Sequence, residues 1–459
     1  MTMHDGWTAI ILAAGLGKRM RSKKPKALHP IAGRPMLLHV LAAVREAFTS
    51  AARDASYVAV VGHGAGQVKA VLDGNVRPVD QAEQLGTGHA VAQAEPAAKD
   101  SAHLLVLNAD VPLVSAETIA GLITRHLKAN ADLTFLTAVI DDPRGQGRVQ
   151  RDAGGCVTGI VEEADADEPT LAGSEVNVGV YCFRGDWLWP RLSRIERSAA
   201  GEYYLTDLIG MAVTDGSTVG AVAVADPVEA LGINDRTQLA QAEAVVRERI
   251  RRRHMLAGVT IVDPATTYVD ADVRIAMDTT LHPNTSLRGK TSVGEECEIG
   301  PDSQVIDSTL GARCRVVSSV VEQSTLEDGV DVGPFSHLRA GAHICSGVHI
   351  GNYAEVKNSR LGRNTKMGHF SYVGDAVVGE EVNIGAGTIT CNFDGVRKHR
   401  TIIGDGAFIG SDTMLIAPVE VGAGARTGAG SVINHDVPPN GLAVGVPARI
   451  RRKKENSVD

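Results

Sequence analysis

The rhythm of hydrophobic positions along the chain changes once. Through residues 7–230, short apolar runs alternate with amphipathic stretches. Trp7–Ala13 reads as a strand ending in Ala-Ala-Gly. From Pro35 onward Leu37, Leu41, Val44 and Phe48 share one helical face, with proline at the favoured first position. Tyr57–Val61 and Leu104–Leu107 read as further strands, the latter closing on Asn108-Ala109-Asp110. Strands alternating with helices predict a mostly parallel sheet covered on both faces, with ligands beyond the carboxyl ends of its strands. Asn234–His254 reads as one long helix. Leu239, Ala242, Val246 and Ile250 form a narrow stripe among arginines, the pattern of a helix that bridges domains.

After that helix the period becomes six. Ile275, Leu281, Leu287, Val293, Ile299 and Val305 recur at this spacing. The register resumes at Val332, Leu338, Ile344, Ile350 and Val356, at Leu361, Met367 and Val373, and at Ile403, Ile409, Leu415, Val421 and Ile433, with Thr427 filling the gap. Glycine follows many of these positions, including Gly294, Gly300, Gly333, Gly351 and Gly368. Neither a helix nor an isolated strand has a period of six. A parallel β-helix does, because each face supplies one inward aliphatic per hexapeptide and each corner needs small or left-handed residues. Three such faces predict a left-handed, triangular coil. Flat outer faces favour a cyclic oligomer, a homotrimer by this reading. Thr390–Thr401 breaks the hexad and reads as a loop extruded from one coil.

The bulk numbers narrow the class. A chain of 459 residues predicts more than one domain, and its net charge of −8 argues against nucleic acid as a partner. Cys156, Cys182, Cys297, Cys314, Cys345 and Cys391 form no C-x-x-C pair, so they predict reduced thiols rather than a zinc site. The segment MTMHDGWTAI has no signal-peptide grammar, and no apolar run is long enough to cross a bilayer. These features predict a cytoplasmic protein with no membrane insertion. The basic cluster Arg449, Arg451, Arg452, Lys453 and Lys454 reads as a solvated tail.

Several polar groups stand where chemistry is expected. Leu12 to Met20 carries Gly15 and Gly17, which let backbone N–H groups approach an anion, and Arg19 and Lys26 can neutralise phosphate charge. The G-x-G-x-x-G spacing is not completed, because Met20 stands in the last place. Asp110, at a strand end, suits either Mg²⁺ coordination or a loop hydrogen bond. Asn234 suits either a ligand role or an N-cap, since Asp235-x-x-Gln238 resembles a capping box. The segment from Gln81 to Gly88 suits reading of a base edge, unless Thr87 caps the next helix. In the second half, His369 and Tyr372 interrupt aliphatic repeats. Acetyl transfer from a thioester to an amine needs a group that takes a proton, and imidazole, with a reference pKa of about 6.5, suits that task. Arg339, Lys357, Asn383 and Lys398 lie in neighbouring coils and could meet it at one edge.

An ordered series of motifs then carries a resemblance over nearly the whole chain. LAAGxGxRM, Pro25-Lys26, QAEQLGTGHA, Asp110-Val-Pro-Leu113, Gly147-Arg148, Ile160-Val-Glu162, Asn177-x-Gly179 and Gly232-Ile-Asn234 occur in turn and are followed by the hexapeptide half. Together they resemble the bifunctional N-acetylglucosamine-1-phosphate uridyltransferase/glucosamine-1-phosphate acetyltransferase family. The resemblance implies an α/β Rossmann-like nucleotidyltransferase domain (1–232), a linker helix (233–256) and a left-handed parallel β-helix acetyltransferase domain (257–459). It also implies a role in making cell-wall precursors.

By that resemblance, Leu12, Ala13, Ala14, Gly15, Gln81, Gly86 and Thr87 hold the uridine nucleotide, and Arg19 and Lys26 serve catalysis at its phosphates. Asn108 and Ala109 line the same site, standing where the family often has Tyr-Gly. Gly147, Glu162 and Asn177 hold the N-acetylglucosamine part, and Asp110 and Asn234 bind Mg²⁺. In the second half His369 is the general base, and Arg339, Lys357, Tyr372, Asn383 and Lys398 bind glucosamine-1-phosphate. Ala386, Asn392, Phe393, Ser411 and Ala429 line the acetyl-CoA site, with Arg449 as the tail arginine for coenzyme A. Phe393 replaces a usual Tyr, and Lys18 a usual Thr. The rival expectations are a monofunctional sugar-1-phosphate nucleotidyltransferase whose β-helix only regulates or oligomerises, and a non-enzymatic scaffold.

Overall fold

The computed structural model describes residues 4–451, so Arg452, Lys453 and Lys454 of the basic tail lie outside the described residues. The chain divides into two compact units, 1–246 and 247–459, and the division falls inside the helix Arg236–Leu256.

The first unit is built on a twisted sheet. Its strand order is Val219–Ala223, Leu133–Val139, Glu175–Arg184, Ser101–Asn108, His4–Ala13, Ala55–Val61, Val76–Asp80. His4–Ala13 runs parallel to both of its neighbours, as the sequence predicts. Glu175–Arg184 does not conform: it is antiparallel to the strands on either side. Ala9 and Ile11 enter one hydrophobic core and Ile10 the other, so the central strand is buried on both faces.

Local chemistry corrects one sequence reading, decides a second that the sequence leaves open, and bears out the capping box at Asp235. Pro35 is the N-cap of the helix Met36–Ser50, with ψ of 141°, rather than its first helical residue. The helix still buries Leu37, Leu41, Val44 and Phe48, as its pattern predicts. Thr87 does not cap the helix Thr87–Gln93. Gly86 does, at a φ of 101° that glycine tolerates, and the Thr87 hydroxyl accepts instead from the Leu205 N–H at 3.0 Å. At the long helix the cap is Asp235, whose Oδ1 accepts from the N–H groups of Thr237 and Gln238, both at 2.9 Å. The Asn234 side chain is thereby released from capping.

The second unit is a three-sided parallel β-helix of the hexapeptide-repeat type, the left-handed class. Its strands form three sheets in which each strand pairs with the one a full coil onward. Leu281, Ile299, Val316, Val332, Ile350 and Met367 form one inward column. All six are completely buried, each contributing roughly 1.5–3 kcal/mol on side-chain burial. Ile275, in the first coil, is only partly covered.

Of the glycines after the hexad aliphatics, Gly294 and Gly351 serve close approach, whereas Gly300 and Gly333 also take positive φ, at 101° and 110°. A Cβ on Gly294 would lie 2.6 Å from the Gly311 backbone of the next coil. Other left-handed corners are taken by residues such as Asn284, Asp302, Asn358 and Asn364, whose short polar side chains tolerate that region. The segment between Cys391 and Thr401 leaves the coil as a loop, closed by pairing of Phe393 with Lys398.

Candidate active sites

In the first unit the loop after the central strand and the ends of its neighbours enclose a cavity of about 470 Å³. Leu12, Ala13, Ala14, Gly15, Arg19, Lys26, Gln81, Gly86, Thr87, Asn108, Ala109, Asp110 and Asn234 all line it. Nothing lies within 4 Å of where a Gly15 Cβ would stand, so its backbone is open to the cavity. Gly17 is left-handed at φ 59°, and a Cβ there would come within 2.7 Å of Lys26 Cβ. That close approach steers Lys26 inward. Its ammonium donates to Asp110 Oδ2 at 2.6 Å and to Asn234 Oδ1 at 2.8 Å. Two oxygens from chain segments far apart in sequence thus converge on one cation.

Gln81 is buried and its amide is largely committed. Nε2 donates to the Gly86 carbonyl at 3.2 Å and lies 2.9 Å from His89 Nδ1. Arg19 is exposed at the cavity mouth.

A second cavity of about 170 Å³ shares Thr87, Asn108, Asp110 and Asn234 with the first, and is lined by Gly147, Glu162 and Asn177. Burial raises the Glu162 carboxyl above its ordinary value, opposed by a hydrogen bond from the Thr206 hydroxyl at 2.8 Å. Asn177 donates to the Tyr181 hydroxyl at 2.6 Å and accepts from the Gly179 N–H. Gly179 is left-handed, and a side chain there would strike the Asn108 amide. Sequence reasoning passed over Gln84 and Glu202 in the first cavity and Thr206 and Tyr181 in the second. Gln84 stands inside the QAEQLGTGHA motif beside the residues singled out there, whereas Glu202, Thr206 and Tyr181 lie outside the motifs and only the fold brings them in.

On the β-helix, Arg339 follows the strand His337–Leu338, and Lys357 and Tyr372 lie in the next two strands of the same sheet, each one coil onward. Arg339 donates to Glu355 at 2.6 Å. Lys398, from the extruded loop, stands against Lys357. The Lys398 ammonium beside it, with the charge of Arg339, holds the Lys357 ammonium below the usual lysine range. The loop is pinned by Asp394, which accepts from the N–H groups of Val396 and Arg397 and from His399 Nε2 at 2.6 Å. Those bonds pull the Asp394 carboxyl down to about 2. Asn392 is buried and donates to Tyr372 Oη and Asp375.

His369 sits on the corner leading into that sheet, exposed, with no hydrogen-bond partner for its ring among the described residues. Backbone bonds Gly387 N to Phe370 O (2.7 Å), Asp412 N to Ala386 O (2.6 Å) and Gly430 N to Ser411 O (2.8 Å) stack the following coils on the same corner. His369, Ala386, Ser411 and Ala429 therefore form one edge, small above the histidine. Asn383 does not join Arg339 and Lys357 on their face. It pairs with Lys366 and Phe408 in the sheet on the other side of the corner, because one hexapeptide step moves the chain to the next face. Phe393 is exposed, and Arg449 lies in a terminal antiparallel pair, Val444 opposite it.

A strand-end nucleotide cavity in one unit and a hexapeptide coil in the other define a two-domain transferase: a nucleotidyltransferase joined to a hexapeptide-repeat transferase. Residues 9–176 match the MobA-like NTP transferase domain, and residues 400–435 match the bacterial transferase hexapeptide (six repeats). "Bifunctional protein GlmU" of Geobacillus sp. (strain WCH70) is 48% identical over 98% of this chain and 97% of its own length. The proteins of that name from Fervidobacterium nodosum (48% identity, 95% of this chain and 94% of the relative) and Heliobacterium modesticaldum (47%, 98% and 97%) are similarly close. The chain belongs to the GlmU family of bifunctional proteins.

Proposed function

We infer that the chain performs two reactions in series. It transfers an acetyl group from acetyl-CoA to glucosamine-1-phosphate, and then joins the resulting N-acetylglucosamine-1-phosphate to UMP from UTP, releasing pyrophosphate. The observation that carries the first reaction is the crowding of Lys357, Lys398 and Arg339 on the face that the His369 corner enters. Arg339 stands beside Lys357 on the neighbouring strand, with Lys398 against them, and such a cluster of cations suits a bound phosphate, which a passive coil does not need. This argues against the monofunctional reading.

In acetyl transfer, Arg339, Lys357 and Lys398 hold the sugar phosphate and Tyr372 orients the sugar, while Asn383, on the adjoining face, stands outside that set. His369 takes the amine proton as nitrogen attacks the thioester carbonyl and the thiolate of coenzyme A leaves. Ala386, Ser411 and Ala429 leave room along the edge above it for the thioester arm, with Asn392, Phe393 and Arg449 as its further neighbours.

In uridyl transfer, a phosphate oxygen of the sugar attacks the α-phosphorus of UTP in line, a step that needs positioning and charge neutralisation more than a protein nucleophile. Leu12 to Gly15, Gln81, Gly86 and Thr87 seat the nucleotide, while Gly147, Glu162 and Asn177 seat the sugar beside Asn108 and Ala109. Arg19 and Lys26 neutralise phosphate charge. Asp110 and Asn234 fit Mg²⁺: they offer hard oxygens that already converge on a cation, the Lys26 ammonium. Bound there, the metal supplies charge stabilisation at the phosphates.

Residues 1–232 carry uridyl transfer, 233–256 the linker and 257–459 acetyl transfer. A homotrimer is the assembly we propose. The exposed Phe335 and Tyr353, stacked with ring centroids 5.3 Å apart, give it an apolar column to cover. No helix among the described residues is long and apolar enough to cross a membrane, and the substrates are those of the cytoplasm.

The test is a coupled assay from glucosamine-1-phosphate, acetyl-CoA and UTP, with each reagent omitted in turn. Pyrophosphate release should require acetyl-CoA and be restored without it by N-acetylglucosamine-1-phosphate. Full release from glucosamine-1-phosphate without acetyl-CoA would overturn the order of steps.

A further inference from the structure

We propose that Gly374 is a positioning residue for the acetyl acceptor, its missing side chain allowing Tyr372 to lie along its strand with the hydroxyl directed toward Lys357 and Asn392. The inference rests on the reading of Tyr372 as an acceptor-binding residue. Tyr372 and Gly374 lie on the same side of the strand Ser371–Gly374, since Val373 between them points into the core and is completely buried. Gly374 pairs in register with Lys357 on the neighbouring strand. A ring lying over Gly374 therefore carries its hydroxyl toward the lysine.

The fit is tight. A Cβ on Gly374 would stand 2.5 Å from Tyr372 Cζ and 2.8 Å from Cε1, and would collide with the hydroxyl. The hydroxyl in turn accepts from Asn392 Nδ2 at 3.4 Å. The backbone beneath is held on both sides, with Gly374 N donating to Thr390 Oγ1 at 2.8 Å and its carbonyl accepting from that hydroxyl at 3.0 Å.

No backbone reason requires glycine here, because residue 374 is not left-handed. The atoms a methyl would displace belong to the free end of one side chain. Alanine is therefore compatible with the fold, and its cost falls on where the Tyr372 hydroxyl points. Gly374 would thus be kept for acceptor geometry rather than for the coil.

The experiment compares Gly374→Ala, Tyr372→Phe, Tyr372→Ala and the double variant Gly374→Ala/Tyr372→Ala in steady-state acetyl transfer. Gly374→Ala should raise KM for glucosamine-1-phosphate about tenfold, the loss of one hydrogen bond to a charged partner. KM for acetyl-CoA and the rate of uridyl transfer should stay at the parent values. In the Tyr372→Ala background the added Gly374→Ala change should cost nothing further. A parent KM in Gly374→Ala, or the same extra loss in both backgrounds, overturns the inference. A parent KM in Tyr372→Phe instead removes Tyr372 from the acceptor site, so the two failures are told apart.

Discussion

Lys26 and Asp110 form an ion pair of 2.6 Å between a loop residue and a strand-end carboxylate, with Asn234 closing the set at 2.8 Å. The lysine thus occupies the point where the two oxygens offered to the metal meet. In the metal site we propose, its ammonium shares or yields that place to the divalent cation.

Lys26→Met should therefore have two opposite effects. Uridyl transfer should fall roughly 10²-fold in kcat, the usual cost of losing a preorganised charge at a transition state. Affinity for Mn²⁺ without nucleotide should rise, since Asp110 no longer carries its internal counter-ion. Titration calorimetry with Mn²⁺ checks this, and weaker binding would contradict the shared position.

The sugar cavity should be sensitive to acid. Burial raises the Glu162 carboxyl, and the Thr206 hydroxyl favours its ionised form. The carboxylate is the form that accepts sugar hydroxyls. KM for N-acetylglucosamine-1-phosphate should rise as pH falls through this raised value, and Thr206→Val should move that limb to higher pH. A pH profile of KM for both proteins decides it.

The acceptor site should be sensitive to base. Lys357 is held below the ordinary lysine range by Lys398 and Arg339. In the acceptor site we propose, its protonated form binds phosphate, so kcat/KM for glucosamine-1-phosphate should decline on the alkaline side earlier than an isolated lysine would cause. Lys398→Met relieves the repulsion, and the alkaline limb should shift upward even as affinity drops. A limb that stays in place would separate Lys357 from the binding step.

The coil's tolerance for side chains should be lowest at its stacked glycines. A Cβ on Gly351 would meet the Gly368 backbone of the next coil, which has no flexible end to give way. Gly351→Ala should destabilise the β-helix by about 1–3 kcal/mol. Gly329→Ala is the comparison: that position has open space but φ 68°, so its cost is conformational alone. Denaturant midpoints followed in parallel should rank Gly351→Ala below Gly329→Ala.

What could be read from the sequence divides along physical lines. The hexad was legible because every inward position must be aliphatic whatever lies beside it. The parallel core of the first unit was legible for a similar reason, but the antiparallel run of Glu175–Arg184 was not. A strand buried on both faces has the same apolar pattern in either direction. The two capping alternatives that the sequence leaves open are decided in the same way. Thr87 and Asn234 are good caps by type, yet Gly86 and Asp235 take the caps, leaving both side chains to longer-range partners. The face of Asn383 was hidden by coils of unequal length, which make counting by six lose its place. Pairing of Ile299 with Val316, and of Val316 with Val332, shows that slippage. Gly374 reads in the sequence as one more glycine after a hexad aliphatic, and the role we propose for it depends on the rotamer of Tyr372, which no pattern shows.

The central claim is that two separate sites do two separate reactions. It is tested most directly by measuring thiol release and pyrophosphate release in parallel on Asp110→Ala and His369→Ala. Asp110→Ala should lose pyrophosphate release from N-acetylglucosamine-1-phosphate and UTP while keeping parental thiol release from glucosamine-1-phosphate and acetyl-CoA, and His369→Ala should show the reverse. Equal loss of both activities in either variant would contradict it.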